Sequence, residues 1–443
     1  MEEHKMPYKA GERLPAERAS RLGHLDVLKS ELVKKLCKSF EDTVQSPISA
    51  TGSWRAISSN AQPLPLVFGV DGSMQVIESD TPPYKALAFV KTALLRVDQV
   101  ALSSIDEESP HPLALRDILA DSALYHATVL PLRHVVVPGM SVYDAVRQTI
   151  FESLKDASLD GEPLETLKWL VYQKWDKNEN RDLPNFECPH CEYQKTTLPF
   201  DADIGECPNC KGKLNVTDML GFHQEMAPDS APETVATAYM SIHETLLLFT
   251  GVRYFWERKK EVLSNCLFVK DGPLSIRAQY SKLVAPIRRF LVFSRDQGCP
   301  VHLIGQEKTG AFADHLQLIG NNAPLRSLFI PGNQYIKEQI QHRPSRGAPY
   351  GKDTNYGAKV FVRISHYHQT VLNIPTGEYV ENPKLSNLIG AERIFATLPT
   401  ILSSRFEGAL LPIELAHGVA SLSTYPSAQI LKIFAEAKGQ KNE

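Results

Sequence analysis

Residues 66–73 read LVFGVDGS, an apolar run that ends in Asp71-Gly72. Residues 267–273 read LFVKDGP and repeat this design with Asp271-Gly272. Each apolar run predicts a buried β-strand, and a sheet holds a carboxylate at a strand end rigidly. The glycine that follows lets the backbone turn away and leaves room for a bulky ligand, although Asp-Gly pairs also occur in ordinary hairpin turns.

Strand and helix patterns alternate along the chain. The predicted strands lie at 66–70, 74–77, 134–137, 266–269, 301–305 and 327–330, with an antiparallel pair within 359–374 and a strand passing into a helix over 84–98. The predicted helices lie at about 141–157, 163–175, 232–263, 276–295, 310–320 and within 382–437. This alternation predicts an α/β fold.

A stripe of leucines at helical spacing occupies residues 18–40 and comprises Leu22, Leu25, Leu28, Leu32 and Leu36. Such a stripe indicates an amphipathic helix. Its apolar face is either buried in a core, which is the commoner case, or projects to bind a partner.

The composition is that of an ordinary globular chain of 443 residues, with 48 basic and 51 acidic side chains and hence a net charge of −3. This balance excludes a polycationic nucleic-acid binder, but it is compatible with a local basic groove. The chain starts without a signal-peptide pattern, and the apolar stretch at 246–249 is far shorter than the ~20 residues of a membrane helix. We therefore expect a cytoplasmic protein without membrane association.

Four of the seven cysteines form two C-x-x-C pairs, Cys188 with Cys191 and Cys207 with Cys210, with 15 residues between the pairs. Two such knuckles direct four thiolates to one point, which is the closed ligand set of a structural Zn²⁺ site. The surrounding segment, 182–215, is poor in aliphatic residues and predicts an inserted zinc ribbon that its metal folds. The sequence leaves open whether this ribbon contacts DNA, a partner or only the rest of the chain.

The two Asp-Gly pairs predict a second metal site if their strands are neighbours. Two converging carboxylates repel each other unless a cation lies between them, and hard oxygen ligands favour Mg²⁺ or Mn²⁺. Glu244 stands on an otherwise apolar helix and is the best candidate for a third carboxylate, with Glu233 and Glu257 as alternatives.

Basic side chains form local clusters that a polyanion could contact. One cluster contains Arg253 and Arg258 among aromatic residues, and another is the pair Arg288-Arg289. Aromatic rings near arginine or lysine can stack on single-stranded bases. We predict DNA contacts at these four arginines, although the same pattern is typical of a helix face that is half buried and half solvated.

Four segments, taken in order, resemble the motifs of the NurA nuclease family. They are 70–73, VDGS; 268–274, FVKDGPL; 304–310, IGQEKTG; and 411–417, LPIELAH. The resemblance runs over about residues 60–425 and, with the four cysteines, is to a bacterial branch that carries an inserted four-cysteine zinc ribbon. It implies an RNase H-like (Piwi-like) mixed sheet flanked by helices.

The resemblance also implies an activity and partners. A NurA-like protein is expected to be a Mn²⁺- or Mg²⁺-dependent DNA nuclease with 5′-to-3′ exonuclease and single-strand endonuclease activity. It is expected to form a homodimer and to work with a HerA-like hexameric translocase in DNA-end processing or antiviral defence. By the same resemblance, Asp71, Asp271 and Glu244 match the family's metal-binding acids, and His417 matches its late histidine.

These residues predict hydrolysis of a phosphodiester by two metal ions held at Asp71, Glu244 and Asp271. Lys308 either neutralises charge on the scissile phosphate or only caps a strand end, and His417 holds a phosphate or shuttles a proton. The sequence contains no G-x-x-x-x-G-K-[ST] loop, so translocation along DNA would need a separate motor.

The predicted organisation is a single nuclease-like core interrupted by the ribbon. Its segments are an N-terminal helical part at 1–50, core parts at 60–181 and 216–425, the ribbon at 182–215, and a C-terminal helix and tail at 426–443. Two other functions fit the same residues. One is a non-catalytic zinc-ribbon adaptor that loads a motor ATPase onto DNA, and the other is a different metal-dependent enzyme, such as a phosphatase.

Overall fold

The computed structural model describes residues 27–40, 53–57, 60–97, 123–177, 183–226, 233–276, 282–403, 405–422 and 427–439. The chain divides into two compact units, Met1–Ile48 and Ser49–Glu443. In the described part of the first unit, helix α1 spans Glu31–Ser39 and begins after Ser30, whose hydroxyl accepts a hydrogen bond from the Val33 amide.

The leucine stripe of α1 is exposed. Leu28, Leu32 and Leu36 all face solvent, so the prediction that this stripe is buried in a core is wrong for these three residues. Leu22 and Leu25 lie outside the described residues. The stripe of α1 is therefore a surface feature of its unit.

Within its described residues, the second unit is built on a nine-stranded sheet. Its strands, in the order in which they lie side by side, are β1 Arg55–Ala56, β9 Ser327–Phe329, β10 Ala358–Arg363, β11 Gln369–Ile374, β8 His302–Glu307, β7 Cys266–Asp271, β2 Leu66–Glu78, β3 Ala86–Val97 and β4 Ala123–Pro131. Strand β7 is parallel to both β2 and β8, and the other neighbouring pairs of this sheet are antiparallel. The predicted α/β class is confirmed as a mixed, mostly antiparallel sheet.

Helices flank this sheet. In chain order they are α2 Val142–Leu154, α3 Glu162–Val171, α4 Glu233–Arg258, α5 Lys260–Leu263, α6 Val284–Asp296, α7 Ala311–Gly320, α8 Asn333–Tyr335, α9 Ala391–Thr397, α10 Leu411–Ala420 and α11 Ser427–Gly439. Short caps set several of their ends. The hydroxyl of Ser141 accepts from the Asp144 amide at the start of α2, and Pro412 lies in the first turn of α10.

Side chains of the central strands alternate between two hydrophobic cores. On β7, Phe268 joins the core that contains residues of α3, α4 and α6, whereas Leu267 and Val269 join the core that contains residues of α9 and α10. On β2, Val70 belongs to the first of these cores and Val67 to the second. Because successive strand residues point to opposite faces, this alternation defines an α4 face and an α10 face of the sheet.

Four predicted elements differ from those observed. The stretch 84–98, predicted as a strand passing into a helix, contains strand β3 and no helix among its described residues. Strand β2 continues through Asp71-Gly72 to Glu78, so the two runs predicted at 66–70 and 74–77 are one strand. The run at 134–137 is not a strand: its first residue, His134, has φ 53°, which interrupts extended backbone. The helix predicted from 276 is observed from Val284; the Ile276 amide bonds to the Thr354 carbonyl at 2.8 Å, and residues 277–281 lie outside the described part of the chain.

Candidate active site

Asp71 and Asp271 occupy equivalent positions on neighbouring strands near the middle of the sheet. The parallel strands β2 and β7 pair Val70 with Lys270, and the next residue on each strand is an aspartate. Neighbouring strands lie about 4.8 Å apart, so both carboxylates extend from the same region of the α10 face. Asp71 is 3% exposed, and burial, followed by the negative charge of Asp271, raises its pKa.

His417, on α10, contacts this aspartate pair directly. Its Nδ1 lies 2.8 Å from Asp71 Oδ2, and its side chain is 57% exposed. The hydrogen bond from His417, like that from the Gly72 amide, acts to lower the Asp71 pKa, against the larger effect of burial. The imidazole therefore has one nitrogen on the buried carboxylate and a large surface open to solvent.

Three contacts hold α10 against the sheet. A Cβ at Gly69 of β2 would collide with the Pro412 backbone, so the glycine permits the close approach of this helix. At the other end, Lys91 Nζ donates to the Val419 carbonyl at 2.6 Å, and the Leu422 amide donates to Ser73 Oγ at 3.0 Å. These contacts fix the position of the helix that carries His417.

Glu244 approaches from the α4 face and is paired with Lys270. The Lys270 ammonium lies 2.7 Å from Glu244 Oε2 and donates to the Asp271 carbonyl at 2.9 Å, and both paired side chains are buried. Burial raises the Glu244 pKa, and the negative charges of Asp71 and Asp271 add to this effect. The positive charge of Lys270 opposes it, but the net shift is upward. Burial lowers the Lys270 pKa, but the Glu244 charge opposes it and the net shift is upward.

Lys308 lies just beyond β8 on the open side of the aspartate pair. Its Nζ is 3.0 Å from Asp271 Oδ1, and the two side chains are 39% and 24% exposed. The structure thus brings Asp71, Asp271, Glu244, Lys308 and His417 into one neighbourhood. Lys270 is an additional member that the sequence did not predict, although a lysine inside the apolar run LFVKDGP was a usable signal.

The aspartate pair offers the ligand type that hard divalent cations prefer, although within the described residues only the four cysteines bring three or more candidate ligand atoms within 4.8 Å of one another. Asp71 is desolvated beside a second carboxylate, a situation that a bound cation relieves, and carboxylate oxygens are preferred ligands of Mg²⁺ and Mn²⁺. Glu244 has one oxygen on Lys270, and its other oxygen, Oε1, faces Gly72. Asp71 and Asp271 are therefore the direct ligand candidates, and Glu244 Oε1 is the third.

The four predicted cysteines come together as a group that could hold a metal ion. Their Sγ atoms all lie within 4.8 Å of one another, with 3.8 Å between Cys188 and Cys210 and 3.7 Å between Cys191 and Cys207. A zinc ion bonded at about 2.3 Å to four sulfurs would separate them by roughly 3.8 Å. Burial opposes ionisation of Cys207, but the amides of Cys210 and Asn209 outweigh it and lower the thiol pKa to about 6.

The ribbon around these cysteines packs on the rest of its unit. It contains the hairpin of β5 Ile204–Glu206 and β6 Lys213–Asn215, and Phe186, Leu198 and Leu214 are buried in the same core as α3 and α4. His190, inside the first knuckle, places Nε2 2.9 Å from the Lys213 carbonyl. The question left open by the sequence is answered in part, because the ribbon is joined to the main core.

Polar contacts reinforce this junction. Arg147 of α2 makes a buried, two-pronged contact with Asp218, at 2.9 and 2.8 Å, just after β6. Lys168 of α3 lies 2.8 Å from Asp203, and the Tyr143 hydroxyl donates to the Pro189 carbonyl at 2.8 Å. Buried, paired charges of this kind set the orientation of the ribbon.

The four predicted DNA-binding arginines do not form one surface. Arg253 is buried and paired with Glu162, so its charge is already matched inside the protein. Arg288 donates to the backbone carbonyls of Gly351, Lys352 and Asn355 and thereby holds that loop. Arg258 and Arg289 are exposed.

The alternative third carboxylates are less suitable than Glu244. Glu257 is exposed and lies 3.9 Å from Arg253 Nε, and the side chain of Glu233 lies outside the described part of the chain. No helix among the residues that the structure describes is long and apolar enough to span a membrane.

Comparison with known family models finds no match, and comparison with curated proteins finds none either. Among solved structures, the crystal structure of the NurA nuclease from Sulfolobus solfataricus is 8% identical, with coverage of 96% of this chain and 98% of that chain and a TM-score of 0.34. A second structure, described as the crystal structure of NurA, is 11% identical over 95% of this chain and 98% of that chain, with a TM-score of 0.30. Similarity this low does not establish a family, so function has to be argued from the site.

Proposed function

We propose that this protein is a metal-dependent deoxyribonuclease that hydrolyses phosphodiester bonds. The observation that carries the proposal is the pair Asp71 and Asp271, adjacent on parallel strands, with His417 on one carboxylate and Lys308 on the other. The resemblance of four sequence segments to NurA nucleases favours DNA as the polymer, cut by 5′-to-3′ exonuclease and single-strand endonuclease activity.

In this proposal Asp71 and Asp271 would hold two Mn²⁺ or Mg²⁺ ions, and Glu244, whose Oε1 lies against Gly72 on the α4 face, would join them by turning that oxygen toward the two aspartates. When bound, such ions would lower the pKa of a water molecule, so that hydroxide is available to attack the phosphodiester, and would offset the negative charge on the leaving oxygen. The protein contributes a rigid sheet that fixes the aspartates. It also contributes the Glu244–Lys270 pair, which holds the third carboxylate by its other oxygen, Oε2.

Two further side chains act on the substrate. His417 keeps Nδ1 on Asp71, which leaves Nε2 to hold a phosphate oxygen or to move a proton at it. Lys308 is exposed and bonds Asp271 through its flexible side chain, so its ammonium can turn to an incoming phosphate and offset the phosphate's negative charge.

The strand order supports an RNase H-like core for this enzyme. Strands β4, β3 and β2 form an antiparallel meander, and β7 and β8 continue the sheet parallel to β2. The sequence has no phosphate-binding motor loop, so we further propose that a separate hexameric translocase of the HerA type moves the DNA. A homodimer and a role in end processing or antiviral defence belong to the same proposal.

The test mixes purified protein with Mn²⁺ and with linear single- or double-stranded DNA. Wild-type protein is expected to cut DNA only when the metal is present, and Asp71→Asn and Asp271→Asn are expected to abolish cutting. The matched control is Asp296→Asn, at the exposed end of α6, where the carboxylate bonds only its neighbour Arg295 among its described partners. Wild-type-like digestion by both aspartate variants would rule out this site.

The same preparation separates the rival functions. A phosphatase would release nitrophenol from p-nitrophenyl phosphate, a monoester, and leave DNA intact. An adaptor would bind DNA without metal-dependent cutting of DNA or of bis(p-nitrophenyl) phosphate. The nuclease should cut both diester substrates and leave the monoester unchanged.

We also propose that the metal of the four cysteines is Zn²⁺ with a structural role. The four thiolates close the coordination shell, so no position stays open for a reacting water. Cys207→Ser should lower the zinc content of the purified protein from one per chain and reduce its melting temperature, because the ribbon and the main core share buried residues. Unchanged zinc content in this variant would contradict the assignment.

A further inference from the structure

A cavity of about 450 Å³ opens beside the candidate active site. It lies between the end of β8, helix α7 and strand β11, and Lys308, which bonds Asp271, forms part of its wall. Ligand pockets in proteins measure roughly 300–1,000 Å³. The cavity is therefore large enough for a nucleobase and is connected to the aspartate pair through one side chain.

The lining suits a neutral, hydrogen-bonding ligand. Ala313, with the largely buried Leu316 and Val371 behind it, forms the apolar part of the wall, and the exposed amides of Gln317 and Asn321 supply donors and acceptors. The Oε1 of Gln369 is buried against Gly320 and is therefore not one of the acceptors that face the cavity. Amide side chains are well matched to the donor and acceptor groups of base edges.

The charges around the cavity argue against a phosphate as its occupant. Glu307 is a lining residue, but its carboxylate is paired with Lys359 and bonded by Asn373. Glu407, also in the lining, is exposed and would repel an anion. Lys308 is the one basic residue of the lining, and it is at the side of the cavity that touches Asp271.

We infer that this cavity takes one unpaired nucleobase of the DNA strand whose phosphate is bound at Asp71 and Asp271. The inference rests on the proposed nuclease function and adds a determinant of substrate choice. A base that is stacked and paired within a duplex cannot enter, so the cavity selects single strands and frayed ends. Its amides hold the base edge while Lys308 contacts the adjacent phosphate.

The test compares binding of two fluorescent oligonucleotides by anisotropy, in Ca²⁺ to limit cleavage. One is an ordinary single strand, and the other has the same backbone with abasic residues in place of nucleotides. Wild-type protein is expected to bind the ordinary strand about tenfold more tightly, since one well-placed pair of amide–base hydrogen bonds contributes ~1–3 kcal/mol. The abasic strand measures the phosphate contacts alone.

The Ala313→Trp substitution fills the cavity from α7 without removing a core side chain. The Ala313→Trp protein should bind both oligonucleotides with the weak affinity that wild type shows for the abasic strand. Leu318→Trp is the matched control, because Leu318 is on the same helix, 78% exposed and outside the cavity lining, and should keep the tenfold preference. Gln317→Leu, at an exposed position, should lose about threefold and covers the case in which Ala313→Trp does not fold.

Each result has a distinct meaning. Equal binding of the two strands by wild type, or full base preference in Ala313→Trp and Gln317→Leu, overturns the cavity assignment even if Mn²⁺-dependent cleavage is intact. Absence of binding to either strand also overturns it. If Ala313→Trp loses the base preference and wild type shows no metal-dependent cleavage, the cavity assignment is supported and the proposed nuclease function is contradicted.

Discussion

The two Asp-Gly pairs of the sheet are alike in sequence and different in structure. At Asp71-Gly72 the strand continues, and a Cβ at Gly72 would lie 2.6 Å from Glu244 Oε1 and 2.8 Å from Met240 Cγ. At Asp271-Gly272 the strand ends, and Gly272 has φ 81° with only Lys270 Nζ, at 4.0 Å, near the position of a Cβ. The first glycine is required for space and the second for backbone conformation.

The carboxylates that precede these glycines differ in the same way. Asp71 is enclosed and fixed by His417, whereas Asp271 is partly open to solvent and bonded by the exposed side chain of Lys308. The same dipeptide thus places one carboxylate in a rigid, desolvated position and the other at the solvent-facing side of the pair. The comparison teaches that the residues packed on a glycine, rather than the glycine itself, decide what an Asp-Gly pair does.

The largest expected effect comes from removing either charge. Asp71→Asn and Asp271→Asn should each reduce Mn²⁺-dependent cleavage by roughly 10³-fold, equivalent to about 4 kcal/mol of lost transition-state stabilisation. Their stabilities should differ. Asp71→Asn should raise the melting temperature of the metal-free protein, because it removes a buried charge that is repelled by Asp271. Asp271→Asn should change it little, and equal shifts in both variants would contradict the contrast drawn here.

The next effect compares the two lysines. Lys270→Met leaves Glu244 buried without its partner and should reduce the free energy of unfolding by about 3–5 kcal/mol in urea titrations. Lys308→Met breaks an exposed pair and should cost at most about 1 kcal/mol. Adding Glu244→Gln to Lys270→Met should recover part of the loss. If the double variant is no more stable than Lys270→Met alone, Lys270 does not stabilise the protein through its ion pair with Glu244.

A smaller effect separates the two glycines. Gly72→Ala should cost about 1–3 kcal/mol by overpacking and should lower activity about tenfold, because the new methyl group displaces Glu244. Gly272→Ala should cost about 1–2 kcal/mol through its positive φ, with activity nearly unchanged. In a Glu244→Gln background, the activity loss from Gly72→Ala should shrink. If it persists in full, Glu244 is not the group that Gly72 accommodates.

The smallest effect is on the pH dependence of stability. Folding raises the pKa of Asp71, so the folded protein favours the protonated carboxyl group. This protonation stabilises the fold at pH values below the pKa of the unfolded chain. The stabilisation is lost as the pH rises through the pKa of the folded protein. Metal-free wild type should therefore lose stability relative to Asp71→Asn as the pH is raised from 4 toward 7. Added Mn²⁺ should reverse this loss of stability in wild type. Parallel plots of stability against pH for the two proteins would contradict a raised Asp71 pKa.

Local patterns predicted the parts of this molecule that depend on neighbouring residues. The apolar runs before Asp71 and Asp271, the spacing of the cysteines and the helix that carries Glu244 are all visible in short windows. Contacts between distant segments are not. Arg253 has the appearance of a DNA contact until Glu162 is found beside it, and the lysine of LFVKDGP has no evident role until α4 brings Glu244 to it.

The leucines of α1 show the same limit of local sequence patterns, here for a helix that was predicted correctly. Their spacing predicts a helix, which the structure has, but the spacing alone cannot state what the apolar face meets. Likewise, strand alternation places Gly69 and Gly72 on opposite faces of β2, but it does not state that α10 covers the first and α4 the second. Each of these assignments depends on tertiary packing, which a sequence window does not contain.

The long separation between Asp71 and His417 has a consequence for biosynthesis. The hydrogen-bonded pair is 346 positions apart in the chain, and α10, which carries the histidine, docks on a strand that leaves the ribosome far earlier. A growing polypeptide therefore carries its first aspartate for most of its synthesis without the imidazole that orients it. The complete arrangement of Asp71, Asp271 and His417 can form only after translation has passed α10.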